Sequence, residues 1–476
     1  MEFKQNDLDD LISDRKTTHL GSDAISNIQE VEWAFSVINN FDFSKMSEDQ
    51  DQNLEKALEY IKNYLIFIKK SKNADDFQYE TIITPLIKLF LQQKIQSLNL
   101  NFLQLFHHIT AMLSDSKISE YFSIKDLSDI LMNFISSRTQ YSNISSRVLS
   151  HLIISKTITD FYNMDDFLRI APLITDLSDR AYYLFTLSQV GIPEELFLDF
   201  VKLSLDTFMI ENLEIVTYCC ESISNCVNDN FTDLPQDDAF LNILNELFYP
   251  FLNRIQPEIL LLLTNKETVI EVIELFKCLL YNLICEPFFA NDSFIQTLFQ
   301  ASIYTLPSYS AASNIKDDFF FEVIFPFVTD IYFRFKINVS QELFSTVVSI
   351  AKNGTFKVRK SAFLFIANNI DQIIDDSPEF FYDFTFYELL IEIVLSGTNE
   401  AMLQLLECIC KLLSARQCRL IDFLNDEKQA QLYEEFMIEL DKIADEMEDD
   451  DIDKIIYEIK DLIQKSKPRS YEHEYF

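Results

Sequence analysis

The side chains best suited to holding a ligand recur along this chain. Asn225, Asn282 and Asn368 each close a stretch of small and apolar residues: Cys219-Cys220-Glu221-Ser222-Ile223-Ser224-Asn225, Lys277-Cys278-Leu279-Leu280-Tyr281-Asn282 and Ala362-Phe363-Leu364-Phe365-Ile366-Ala367-Asn368. A carboxamide donates and accepts hydrogen bonds at once. Glu221 precedes Asn225 by four residues, one helical turn on the same face, and its carboxylate attracts a cation directly. The Asn residues lie 57 positions apart from 225 to 282 and 86 apart from 282 to 368, and 86 is twice 43. A further 43 residues on, Lys411 ends Leu406-Glu407-Cys408-Ile409-Cys410-Lys411 in the same pattern, and Leu187-Ser188-Gln189 sits 36 residues before Asn225.

Catalytic and cofactor chemistry finds no comparable pattern. The four glycines, Gly21, Gly191, Gly354 and Gly397, stand too far apart for a phosphate loop or a Gly-x-Ser-x-Gly elbow. His107 and His108 are adjacent and so point about 100° apart on a helix, and no His-Glu-x-x-His occurs. The run from Asp445 to Asp453 lacks the glycine of a calcium loop. The eight cysteines contain no Cys-x-x-Cys pair. Cys219 with Cys226, and Cys278 with Cys285, are two turns apart and share helix faces, which reads as reduced thiols packed as small hydrophobes. No catalytic residue, cofactor site or metal site is expected. The start, Met1-Glu2-Phe3-Lys4-Gln5-Asn6-Asp7, has no apolar core with a basic flank, and reduced cysteines fit a cytoplasmic or nuclear protein.

The elements that must position these residues are helices. So few glycines exclude most doubly wound, barrel and hairpin folds, while 48% hydrophobic residues exclude global disorder. Leu54, Leu58, Ile61, Leu65 and Ile68 follow helical spacing after a start signal at Ser47-Glu48-Asp49. Gly191-Ile192-Pro193 opens another helix, and a further one is expected over 211–226. Pro250 and Pro326 fall inside apolar segments and predict kinks. Polar loops are expected at 228–238 and 308–318. No stretch approaches 18 uncharged apolar residues, so no transmembrane helix is expected. The net charge of −37 repels nucleic acid and membrane surfaces and favours basic ligands, and it equally serves the solubility of an apolar-rich chain.

A helix face repeated near every 40 residues predicts an all-α solenoid, an armadillo-like right-handed superhelix of about nine units. Three regions follow: a polar arm over 1–50, the repeat array over 51–430, and acidic helices with a short basic tail over 431–476. Phenylalanine, 44 residues of it, is expected to fill the spaces that leucine and alanine fill elsewhere.

The stretch from Gly191 to Asn225, and that from Val358 to Asn368, resemble armadillo units. The layout most resembles importin α, with an arm, repeats over about 79–430, and a closing acidic and helical segment at 447–463. The resemblance implies a non-enzymatic adapter that binds basic nuclear localisation signals in an acidic concave groove, with importin β as a further partner. It places Asn225, Asn282 and Asn368 at the family's ligand-gripping Asn position, with Gln189 and His108 as substitutes. The family's Trp position, one turn earlier, holds Glu221, Cys278, Leu364 and Phe185 instead, which removes the indole that would stack on a lysine stem. Arg15-Lys16 is the one basic pair of the arm. Two readings remain open. One is an importin-α-like adapter with Asn225, Asn282, Asn368, Gln189, Glu221 and Phe185 lining the groove. The other is a phosphatase- or ubiquitin-ligase-associated scaffold, in which the Asn residues serve as helix caps.

Overall fold

The computed structural model describes residues 28–42, 47–71, 80–92, 96–230, 238–304, 319–335, 341–376, 381–396, 402–415, 418–447 and 449–466. Among them the regular elements are all helices, with no strand, and no helix is long and apolar enough to cross a membrane. The packing divides into two compact units, Met1–Phe208 with Asn225–Leu234, and Met209–Ser224 with Pro235–Phe476.

The first unit holds α1 (Ile28–Asn39), α2 (Glu48–Ser71), α3 (Glu80–Leu91), α4 (Asn99–Thr110) and α5 (Asp115–Phe122). It continues with α6 (Lys125–Ser136), α7 (Ser142–Ile154), α8 (Met164–Ile170), α9 (Leu177–Val190) and α10 (Phe197–Thr207). The helix α11 (Leu213–Asn230) is shared, because the unit boundary falls between Ser224 and Asn225. The second unit holds α12 (Asp238–Ile255), α13 (Ile259–Leu263), α14 (Val269–Tyr281), α15 (Glu286–Phe289) and α16 (Asp292–Tyr304). After them come α17 (Phe319–Phe335), α18 (Gln341–Asn353), α19 (Phe356–Asn368), α20 (Ile370–Asp376) and α21 (Phe384–Leu395). The last are α22 (Met402–Ser414), α23 (Leu420–Leu424), α24 (Ala430–Met447) and α25 (Asp450–Ser466).

Each unit is a double layer in which rows of helices stack on themselves. In the first, α2, α4, α7 and α9 pack in succession, with α1, α3, α6 and α8 stacked beside them. In the second, α14, α17, α19, α22 and α25 form one row, while α18, α21 and α24 form another. The local cause is plain in α2. The Ser47 hydroxyl accepts from the Gln50 amide at 3.3 Å, acids fill the first turn, and Leu54, Leu58, Ile61 and Leu65 make one buried stripe. Such a stripe covers itself only on another helix.

Phenylalanine does fill the joints between helices. Phe90 lies 5.3 Å from Phe106 edge-on, and Phe106 lies 5.8 Å from Phe122. In the second unit Phe276 meets Phe294 at 5.5 Å, Phe289 at 5.8 Å and Phe327 at 6.3 Å. All but the stacked Phe276–Phe327 pair are edge-to-face, and aromatic contacts of these kinds add about 1 kcal/mol each to the burial itself.

Several expectations meet particular outcomes. The arm over 1–50 contains α1, and residues 1–27 lie outside the described residues. Both α12 and α17 run through Pro250 and Pro326 as single helices. Of the expected loops, 231–237 and 305–318 lie outside the described residues, while Asn228 to Asn230 belong to α11. Cys278 and Cys285 do not share a helix face, because α14 stops at Tyr281 and Cys285 takes left-handed backbone angles.

The end of α14 belongs to a set. The Ile284 amide reaches Leu279 O at 2.8 Å and the Leu283 amide reaches Leu280 O at 3.1 Å, the paired bonds that close a helix through one left-handed residue. The same pair ends α6 through Arg138 and α7 through Lys156. Glycine normally takes that position, but here φ is +48° at Arg138, +56° at Lys156 and +62° at Leu283. A side chain there carries a steric penalty that glycine does not. Arg138→Gly and Lys156→Gly, both exposed sites, should each raise stability by about 0.5–1 kcal/mol in chemical denaturation, and the alanine variants should not.

One ion pair ties the first row together. Arg147 on α7 donates from Nε to Asp179 on α9, and the side chains are 17% and 6% exposed. Burial pushes the Asp179 carboxyl above its usual range more than Arg147 pulls it down. Arg147→Met should therefore cost about 3 kcal/mol at neutral pH, because it strands a buried carboxylate. The loss should shrink as pH falls and protonation of Asp179 removes the unpaired charge; a loss that does not change with pH would refute this account.

Candidate functional site

The residues singled out for binding fall on α4, α9, α11, α19 and α22, with Asn282 at the C-terminal cap of α14. α11 starts where the Asn212 side chain accepts from the Glu214 amide at 3.1 Å and the Ile215 amide at 3.4 Å, a side-chain cap on the helix's first free amides. Thr217 then bonds the Glu267 carbonyl just ahead of α14 at 3.1 Å, and Cys278 Sγ on α14 donates to the Ser224 carbonyl at 3.8 Å. These two contacts fix α11 and α14 side by side and parallel. Between them, Glu221 stands opposite Glu271.

Thr217, Cys220, Glu221 and Ser224 form the stripe of α11 that faces α14, at spacings of three, four and seven residues. Glu221 is half-buried, and its carboxyl is pushed up to about 7, first by burial and then by the charge of Glu271. The Glu271 carboxyl is also raised, first by burial and then by Glu274. Lys277, the near cation, is committed to Glu274 at 2.9 Å. Among the described residues neither Glu221 nor Glu271 has a hydrogen-bond or ion-pair partner. Beside them the Ser224 hydroxyl, in a residue only 6% exposed, has no partner either.

The remaining candidates have diverse surroundings. Asn225 donates from Nδ2 to Ser188 Oγ at 3.4 Å, and Ser188 in turn donates to Phe185 O at 2.7 Å. Phe185 is buried, 7% exposed, with its ring 6.2 Å from that of Tyr182. Gln189 is exposed near the end of α9. Asn282 caps α14, its Nδ2 donating to Cys278 O at 2.8 Å. Asn368 is exposed at the end of α19, where its neighbour Asn369 bonds Phe365 O. Lys411 on α22 pairs with Asp371 at 2.7 Å. His108 is half-buried, 5.6 Å from the ring of His107.

Reading residue by residue missed Glu271, the partner across the seam. The available signal was its place two turns ahead of Cys278, on the same face as the position that aligns with Glu221. The site offers no nucleophile. Burial holds the thiols of Cys219 and Cys278 up at about 12 and raises that of Cys220 well above its usual range, so they stay protonated. Among the described residues no group of three or more His, Cys, Asp or Glu could hold a metal ion. What the arrangement can do is attract a cation.

Glu221 also links stability to pH. The folded chain keeps a proton on this carboxyl up to about pH 7, whereas the unfolded chain loses it near pH 4.3. The group therefore favours folding most at low pH, and that benefit declines as pH rises from the unfolded value to about 7. Glu221→Gln keeps a neutral side chain at every pH. Relative to the wild type, its stability in urea titrations should be higher at pH 8 than at pH 5, and a difference that does not move with pH would contradict the assignment.

No known protein family matches the chain by sequence, and no curated protein does. Among solved structures, the chain is similar to an engineered protein whose crystal structure came from the Northeast Structural Genomics Consortium. The TM-score is 0.50 and the identity 12%, over 91% of this chain and 99% of that one. At that identity the likeness is one of helical fold alone.

Proposed function

We propose that this chain is a non-enzymatic, protein-binding α-solenoid of armadillo type, acting in the cytoplasm or nucleus. In its most concrete form it is an importin-α-like adapter that seats basic segments of partner proteins, such as nuclear localisation signals, along its row helices. The observation that carries the reading is the uncompensated carboxylate pair Glu221 and Glu271 on the seam of α11 and α14. A half-buried pair of acids without a counterion is a poor arrangement for stability alone, and a lysine or arginine from a partner completes it. Stacked rows of helices support a binding role, since such rows present long continuous surfaces.

A second reading, a regulatory scaffold for other proteins, has its own support. Phe185 and Cys278, two of the four residues at the family's Trp position, are buried and cannot form slots for basic side chains. Ile243 and Tyr249 on α12 and Leu261 on α13 are 48%, 46% and 54% exposed, and apolar side chains on a surface suit flat protein contacts.

Calorimetry with a Lys/Arg-rich signal peptide separates the two. The adapter reading expects binding that weakens steeply with salt, because exposed charges are screened beyond roughly 8 Å at physiological ionic strength. Glu221→Lys should abolish it while helix content stays unchanged, since Lys is a good helix former. Equal affinities for the two proteins, or no binding by either, leave the scaffold.

A further inference from the structure

The basic-segment reading leaves open how the free protein tolerates two facing carboxylates with no cation between them. We infer that Glu221 holds a proton in the free protein beside the charge of Glu271, and that a basic side chain seated on the α11–α14 seam expels it, so that peptide capture is coupled to proton release. This inference rests on the proposed binding of basic segments and adds a pH control to it.

Geometry supplies the first support. The Thr217 contact to Glu267 and the Cys278 contact to Ser224 set α11 beside α14 on either side of Glu221 and Glu271, near enough for the charge of Glu271 to act on Glu221. The surroundings supply the second. From α11 the pair is flanked by Glu214, Cys220 and Ser224, and from α14 and the turn before it by Lys266, Glu267, Glu274, Lys277 and Cys278. Glu274 takes up Lys277, the thiols are neutral, and the other acids add negative charge. The unpartnered hydroxyl of Ser224, 6% exposed on the same stripe, is an independent sign that the seam lacks a polar partner. It can accept a hydrogen bond from an ammonium or guanidinium group.

Two like charges this close cannot both ionise without cost, and a proton on one relieves it. An incoming cation does the same work, so proton and ligand compete. The O–H bond of the carboxyl breaks, the proton passes to the buffer base, and the ligand's N–H donors take its place. The raised Glu221 carboxyl, at about 7, places this exchange within the range of cellular pH.

The test uses the full-length chain and an acetylated, amidated hexalysine peptide, whose ammonium groups stay charged from pH 6 to 8. Calorimetry in two buffers of different ionisation enthalpy counts the protons released. Close to one proton should leave per peptide at pH 6, falling towards none at pH 8, with affinity about tenfold weaker at pH 6 than at pH 8. Glu221→Gln and Glu271→Gln should each bind more weakly at pH 8 and lose the tenfold dependence. Peptide binding with the same heat in both buffers and the same affinity at both pH values overturns the proton exchange and leaves the binding function standing. A wild-type dependence that persists in both Gln variants also overturns it, since the proton then resides elsewhere. No binding at either pH overturns both readings.

Discussion

A helix with one apolar stripe needs a neighbour to cover it, and in this chain the neighbour is always close in sequence. The polar contacts show the reach. Lys62 meets Gln104 across 42 positions, Asn225 meets Ser188 across 37, and Lys411 meets Asp371 across 40. The longer steps are 49 from Tyr281 on α14 to Asp330 on α17 and 54 from Ser224 on α11 to Cys278 on α14. A chain that closes its contacts over such distances pays little loop-closure entropy.

The scarcity of glycine shapes the joints. Helices this short and numerous need many left-handed stops, and the chain supplies Arg138, Lys156 and Leu283 where glycine would be easier. Gly191, at φ +101°, is the exception that ends α9. The buried polar residues follow a related economy. Thr110, Thr186, Thr207, Ser222 and Thr329 return their hydroxyls to a carbonyl one turn back, so they pack as small side chains and ask nothing of the facing helix.

Much of this was legible in the residues. Ser47 caps a helix, and the stretches ending at Asn225, Asn368 and Lys411 fall on α11, α19 and α22, while the one ending at Asn282 runs to the cap of α14. Periodicity finds helices and their repeated faces because both are local properties. The use of each side chain was less legible. Whether Asn282 is spent on a cap depends on where α14 stops, and that is decided by Leu283 entering left-handed space. That Glu221 meets Glu271 depends on the register between two helices, set by Thr217 reaching Glu267. No count along one helix encodes that offset.

The cysteines, all buried and none of them in a disulfide, have a practical consequence. All but Cys226 belong to the second unit, spread from α11 to just before α23, and burial raises the thiols of those seven and keeps them protonated. The folded second unit is therefore silent to thiol reagents until a helix leaves its row. Each opening then exposes a thiol whose acidity returns to the ordinary range, and alkylation records it permanently. The protein carries a built-in clock for its own breathing, and mapping which cysteine is labelled first would order the helices by how easily they part.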